Sequence, residues 1–286
     1  MAEIMREVVE GFKDELPKCS TVPVPKQKNQ DLLNLYPVFD AHWGMLAWAE
    51  EAGEDYDIEI AEDLYAGWLT MAQCTAPAAH TGVLLLGGDL LHWDGLDAVT
   101  PQSKNLLDAD TRFPKVVRAS IRLVRRFVHG LLQAHPSVHI VVLEGNHDTA
   151  SSIWLREWLA AFYETEKRVT VDQSPDVYSC YEWGETSLFF HHGHKRKVAN
   201  IAEVFASKFR DVWGRTKYSY GHVGHLHFAE VKESSLMKVE QHRTLAPKDA
   251  YASRGGWMSG RSADVITYSK RFGECSRVTV SPQMLR

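Results

Sequence analysis

The run Val138-His139-Ile140-Val141-Val142-Leu143, continued by Glu144-Gly145-Asn146-His147-Asp148, decides how this chain is read. Six residues rich in β-branched side chains fit a short buried strand. The apolar character then stops abruptly. Gly145 permits a tight turn, and Asn146, His147 and Asp148 supply an amide oxygen, an imidazole and a carboxylate at one strand end. Such a cluster packs poorly, so it reads as a place for a ligand.

Moving outward, two earlier runs end in the same way. Leu32 to Phe39 is an expected strand that leads into Asp40-Ala41-His42, and Gly82 to Leu86 leads into Gly87-Gly88-Asp89-Leu90-Leu91-His92. Taken alone, Asp89 would serve equally as a helix cap or turn residue. Between the strands, Ala61, Leu64, Tyr65, Trp68, Leu69 and Ala72 have helical spacing, and Pro114 opens a helix whose stripe is Val117, Ile121, Val124, Val128 and Leu131. Arg118, Arg122 and Arg125 share another face of that helix, read as solvated. Strand–helix alternation implies βαβ units and a largely parallel sheet, whose sites gather beyond the carboxyl ends of the strands. Residues 93–113 show no periodicity and read as a long loop.

The second half changes character. One more helix is expected around Trp154 to Phe162, then short strands near Val169–Val171, Val177–Tyr181 and Ser187–Phe190, the last ending in His191-His192-Gly193-His194. A helix over Val198 to Val212 precedes Tyr218-Ser219-Tyr220-Gly221 and Gly224-His225-Leu226-His227, followed by a strand from Phe228 to Val231. Asp264–Tyr268 and Ser276–Val280 suggest a hairpin. This half reads as a second sheet, antiparallel or mixed, packed on the first. Residues 1–30 are expected to form an amphipathic helix over 4–16 plus an extended connector. Residues 31–286 form one domain, with the hairpin region near 250–286.

With 286 residues the chain can bury a sizeable core, and 44% hydrophobic with 24% charged residues are ordinary globular values. A net charge of −5 gives no global reason to expect nucleic-acid binding, although a local basic groove would suffice. Cys19, Cys74, Cys180 and Cys275 lack metal or disulfide spacing, so a reducing, cytoplasmic setting is expected. No signal peptide or membrane span is expected; the N-terminal helix is expected to pack on its own domain, with docking of a homo-oligomer or protein partner as the alternative.

Collected, the strand-end residues mix oxygen and imidazole donors, which suits Mn²⁺, Fe²⁺, Zn²⁺ or Mg²⁺ better than a thiolate-selected metal. The ordered series Asp40-Ala41-His42, Gly88-Asp89, Gly145-Asn146-His147-Asp148, His192-Gly193 and Gly224-His225-Leu226-His227 resembles the calcineurin-like metallophosphoesterases over about residues 35–232. The resemblance implies an α/β fold, a four-layer αββα sandwich of two mixed sheets with a dinuclear metal site at the strand C-terminal ends. It implies two divalent ions per chain, Mn²⁺ first and Ni²⁺ among the alternatives. Asp40, His42 and His227 would hold one ion and Asn146, His192 and His225 the other, with Asp89 bridging. His147 would stand beside the scissile phosphate, and Asp148 would orient its imidazole.

Gly88-Asp89-Leu90-Leu91-His92 resembles, in motif detail, the double-strand-break repair exonuclease branch, which makes His92 a further catalytic candidate. Lys195, Arg196, Lys197, Arg254 and Arg261 are candidate phosphate contacts, and Trp93, Tyr251 and Trp257 are candidate stacking platforms. The expected function is a metal-dependent phosphodiesterase, exonuclease-like on DNA, in which a water activated by both metals attacks the phosphoester. The alternatives are a nucleotide or cyclic-nucleotide phosphodiesterase or phosphomonoesterase, and an inactive scaffold of the same fold.

Overall fold

The computed structural model describes residues 22–25, 28–256 and 258–285. The helix expected over 4–16 lies outside these residues. In chain order the first half contains β1 (Asn29–Val38), α1 (Ala49–Ala52), α2 (Ile58–Thr75), β2 (Ala79–Leu86), α3 (Phe113–Ala134), β3 (Ser137–Val142), α4 (Thr149–Phe162) and β4 (Val169–Val171). The second half contains β5 (Ser179–Trp183), β6 (Thr186–Phe190), α5 (Val198–Lys208), α6 (Arg210–Arg215), β7 (Tyr218–Val223), β8 (Glu230–Glu233), β9 (Lys238–Gln241), α7 (Ala250–Arg254), β10 (Ala263–Ser269) and β11 (Gly273–Val280).

Two mixed sheets result, ordered β11-β10-β1-β2-β3-β4 and β5-β6-β7-β9-β8. Strands β1 to β4 run parallel, as their helical crossovers require. Both faces of the first sheet are buried, and side-chain alternation sorts its residues into two cores. Leu33, Leu35, Val83, Leu85, Val141 and Leu143 face the second sheet and meet Leu188, Phe190 and Trp183. Tyr36, Val38, Leu84, Leu86, Ile140 and Val142 face Trp68 and Leu69 of α2 and Phe127 and Leu131 of α3. A third core joins Phe189, Val223 and Val239 of the second sheet to Ile201 and Phe205 of α5. The layers are therefore helix, sheet, sheet, helix.

The register aligns the functional ends. Val38 pairs with Leu86 and Leu86 with Val142, so three parallel strands finish in one row. In the second sheet Phe190 pairs with His222, which brings the ends of β6 and β7 level as well. All five motif loops thus leave at carboxyl ends, the placement expected for parallel strands.

Several expectations need correction. The second half does not form one sheet. β4 adds to β3, and the C-terminal hairpin adds to β1, with Leu33 opposite Tyr268 and Leu35 opposite Ile266. Ile266 and Tyr268 complete the inter-sheet core, which explains the preference. The helix expected over Val198–Val212 breaks at Phe209 (φ −111°, ψ 40°) into α5 and α6. Strand β9 went unread because Lys238-Val239-Glu240-Gln241 carries one apolar side chain. At the far end of α3, Arg168 donates to the carbonyls of Val22 (2.7 Å), Leu132, His135 (2.7 Å) and Pro136 (3.0 Å), satisfying carbonyls that the helix end and the turn beyond it leave open.

Candidate metal centre

The loops after β1 and β2 continue past the sheet as a paired ribbon. Asp40 N–H donates to Gly88 O (3.1 Å), His42 N–H to Asp89 O (3.0 Å) and His92 N–H to Trp43 O (3.1 Å). This pairing forces unusual backbone. Among the described residues six non-glycine residues have positive φ, and five are Asp40 (53°), His42 (46°), Asp89 (50°), His225 (80°) and His227 (58°). Each costs about 1–2 kcal/mol in that conformation. Strain concentrated on the ligand candidates themselves marks a site that the surrounding fold holds in place.

Four groups of potential donors form among the described residues, and two of them hold the ligand candidates. Asp40, His42 and His227 each bring a ligand atom within 4.8 Å of the others, and so do Asp89, His192 and His225. His42 Nε2 lies 3.3 Å from His227 Nε2, and His227 Nε2 lies 3.5 Å from Asp40 Oδ1. His192 Nε2 lies 3.1 Å from Asp89 Oδ2 and 3.8 Å from Asp40 Oδ1. Asp40 Oδ1 thus lies within 4 Å of a histidine nitrogen in each group. Asp89 Oδ1 also accepts from His147 N–H (2.7 Å). Other hydrogen bonds fix the rear of the donors: Asp40 Oδ2 accepts from His225 N–H (2.8 Å), and His192 Nδ1 donates to Gly87 O (2.9 Å).

The donors fit divalent cations. Asp40 Oδ1 and Asn146 Oδ1 are buried without a hydrogen-bond partner, a cost that coordination would remove. The charge balance says the same. Burial opposes charge on His192, but Asp89 and Asp40 outweigh it and raise its pKa to about 10. The field that holds a proton there would equally hold a cation, with release of that proton on binding. Burial and the neighbouring imidazoles of His147, His227 and His92 hold His42 well below the usual histidine range, so its nitrogens stay neutral and able to ligate.

His147 is oriented differently from expectation. Its Nδ1 donates to the carbonyl of His92 (2.7 Å), which leaves Nε2 as the working atom. Asp148 does not reach that imidazole through a hydrogen bond. Its buried carboxylate accepts from the N–H groups of Asp89 (3.1 Å), Leu90 (2.7 Å), Leu91 (3.3 Å) and Gly145 (3.1 Å). Burial and the Asp89 carboxylate push the Asp148 pKa up to about 7, against those donors. His92 is 1% exposed, with Nδ1 3.2 Å from His42 Nδ1 and its ring stacked on His147 at 5.6 Å. It is as buried as the donors and converges with His42 and His147.

Two glycines matter through close approach. A Cβ on Gly145 would sit 2.1 Å from Asp89 Oδ1, and one on Gly224 would sit 2.6 Å from Asp40 Oδ2. Of the other histidines of the motif neighbourhoods, His191 and His222 have partners of their own. His191 is stacked on Tyr178 at 4.3 Å and accepts from Gly193 N–H (2.8 Å). His222, Glu240 and His242 also converge, but His222 is engaged by His242 (2.9 Å) and Tyr268 (3.0 Å), and Glu240 by Arg277. Sequence reasoning missed the carbonyl of His92, since no side-chain pattern announces a backbone acceptor.

No protein-family profile matches this chain, and no curated protein does either. Among solved structures it is similar to a dimetal phosphatase from Danio rerio, at 9% identity and TM-score 0.43, covering 87% of this chain and 98% of that one. It is also similar to a predicted phosphoesterase from Streptococcus pneumoniae (10% identity, TM-score 0.34, 88% and 99% covered). A third is wild-type Vps29 complexed with zinc from Entamoeba histolytica (11% identity, TM-score 0.34, 88% and 99% covered). Likenesses this distant carry no argument, and the functional reading rests on the geometry above. No described helix is long and apolar enough to cross a membrane.

Proposed function

We propose that this protein is a metal-dependent phosphoester hydrolase that binds two divalent cations, Mn²⁺ first among them. The observation that carries the reading is the pair of donor groups, built on strained backbone, with buried Asp40 Oδ1 and Asn146 Oδ1 unpartnered. Asp40, His42 and His227 would hold one cation, and Asp89, Asn146, His192 and His225 the other. Cations there would offset charge on phosphoryl oxygens and acidify a water. The chain's own contribution is His147: with Nδ1 tied to the His92 carbonyl, a protonated Nε2 is the atom that donates to a departing alkoxide.

On sequence grounds the expected substrate is DNA, cut in an exonuclease-like way. A polyanion would call for available cations. Of the five candidate contacts, Lys195 is paired with Glu144 (3.2 Å), Arg254 with Glu51 (3.0 Å) and Arg261 with Glu54 (2.6 Å), while Arg196 and Lys197 are exposed. With three of the five engaged by carboxylates, a small phosphoester, such as a nucleotide or cyclic nucleotide, is favoured over a polymer. Incubation with Mn²⁺ and a panel of single- and double-stranded DNA, cyclic dinucleotides, nucleotides and p-nitrophenyl phosphates tests both levels. Turnover of small esters alone is expected. Processive loss of DNA ends would restore the exonuclease reading, and no turnover of any ester by Mn²⁺-loaded protein would overturn the hydrolase.

A further inference from the structure

We infer that Asp94 is a positioning residue for His147. The inference rests on the hydrolase reading for its catalytic meaning, though its structural content stands without it. Asp94 lies two residues after His92, in the long loop of residues 93–113. Its Oδ2 accepts from Ala150 N–H (2.5 Å), and its Oδ1 accepts from Ser151 N–H (3.0 Å) and Ser151 Oγ (2.6 Å). Ala150 and Ser151 belong to the first turn of α4, which begins two residues after His147. The carboxylate therefore caps open donors and complements the helix dipole.

The consequence concerns what lies between. Segment 90–94 and segment 147–151 are joined at three successive levels. Leu90 and Leu91 N–H groups donate to Asp148, the carbonyl of His92 accepts from His147 Nδ1, and Asp94 accepts from Ala150 and Ser151. The middle link orients the imidazole, and it is a single hydrogen bond to a loop carbonyl. It lies between two carboxylate links, so the carbonyl of His92 cannot drift from His147 while both hold. Trp93, 2% exposed and packed against Phe113, fixes the same segment from its other side. Asp148 braces the inner end and Asp94 the outer end. Asp94 touches none of the candidate metal ligands through a hydrogen bond, so its loss should act on His147 alone.

Asp94→Ala, with Ser151→Ala as the milder variant, tests this in the full chain. Heteronuclear NMR of the His147 ring reads the tautomer directly and needs no turnover. The wild type should hold the Nδ1–H form, Asp94→Ala should lose that preference, and Ser151→Ala should lose part of it. Kinetics on Mn²⁺-loaded protein give a second readout. Rates on alkyl phosphoesters, whose leaving oxygen needs a proton, should fall about ten- to a hundredfold, while p-nitrophenyl esters change by less than about twofold. Metal content by elemental analysis should not change. An unaltered His147 tautomer in a folded variant, or a parallel fall for both ester classes, would overturn the assignment. Should Asp94→Ala fail to fold, Ser151→Ala decides by the same tautomer measurement. A wild type that hydrolyses no ester would defeat the hydrolase reading and leave the tautomer result to decide this one.

Discussion

Replacing Asp148 separates two accounts of one side chain. Read from the sequence, Asp148 steadies the His147 imidazole, so Asp148→Ala should lower turnover in an otherwise normal fold. The structure gives it four backbone N–H donors in a buried setting. Truncation would strand all four, each worth about 1 kcal/mol net or more when a charged acceptor is lost. Allowing for partial relaxation and an entering water, the expected loss is roughly 3–5 kcal/mol, in the severe tail for single substitutions. Asp148→Asn should fare little better, because its amide oxygen can serve one pair of donors while its NH₂ faces the other. Urea unfolding at pH 8, above the raised pKa of about 7, measures the loss. A destabilisation under about 1 kcal/mol, together with a hundredfold fall in rate, would refute the bracing role.

Three further outcomes are expected. Gly145→Ala places a methyl 2.1 Å from Asp89 Oδ1, so it should cost about 1–3 kcal/mol in thermal or urea unfolding and weaken metal retention on dialysis. Arg168→Lys keeps the charge but loses the guanidinium fork that reaches four carbonyls, and chemical denaturation should show a loss of about 2 kcal/mol. Buried His135 bonds Tyr36 Oη (2.9 Å) and Ala79 O (2.9 Å), and burial lowers its pKa to about 4. The unfolded chain takes up this proton below about pH 6.5 and the folded chain only near 4, so its stabilising contribution is full above 6.5 and is lost as pH falls toward 4. Comparing the stability–pH slopes of wild type and His135→Gln over that window should show a difference of up to about 3 kcal/mol.

What the sequence disclosed follows from the range of each signal. The strands of the first sheet and helices α2 and α3 were legible because buried parallel strands are continuous apolar runs and helices repeat every 3.6 residues. The ligand candidates were legible because each closes such a run. Sheet membership was not, since the choice of β1 as partner for β10 depends on Ile266 and Tyr268 filling space beside Leu33 and Leu35. The tasks of Asp94 and Asp148 were hidden for a related reason. Both carboxylates serve backbone N–H groups, and backbone donors leave no mark in residue type.

The central claim is that two cations share this one cluster. Equilibrium dialysis against Mn²⁺ followed by elemental analysis should give two ions per chain in the wild type. Asp40→Asn, at the residue whose Oδ1 lies within 4 Å of a histidine nitrogen in each group, should retain fewer than one. A wild-type stoichiometry of one or none at saturation, or two ions still bound after Asp40→Asn, would contradict it.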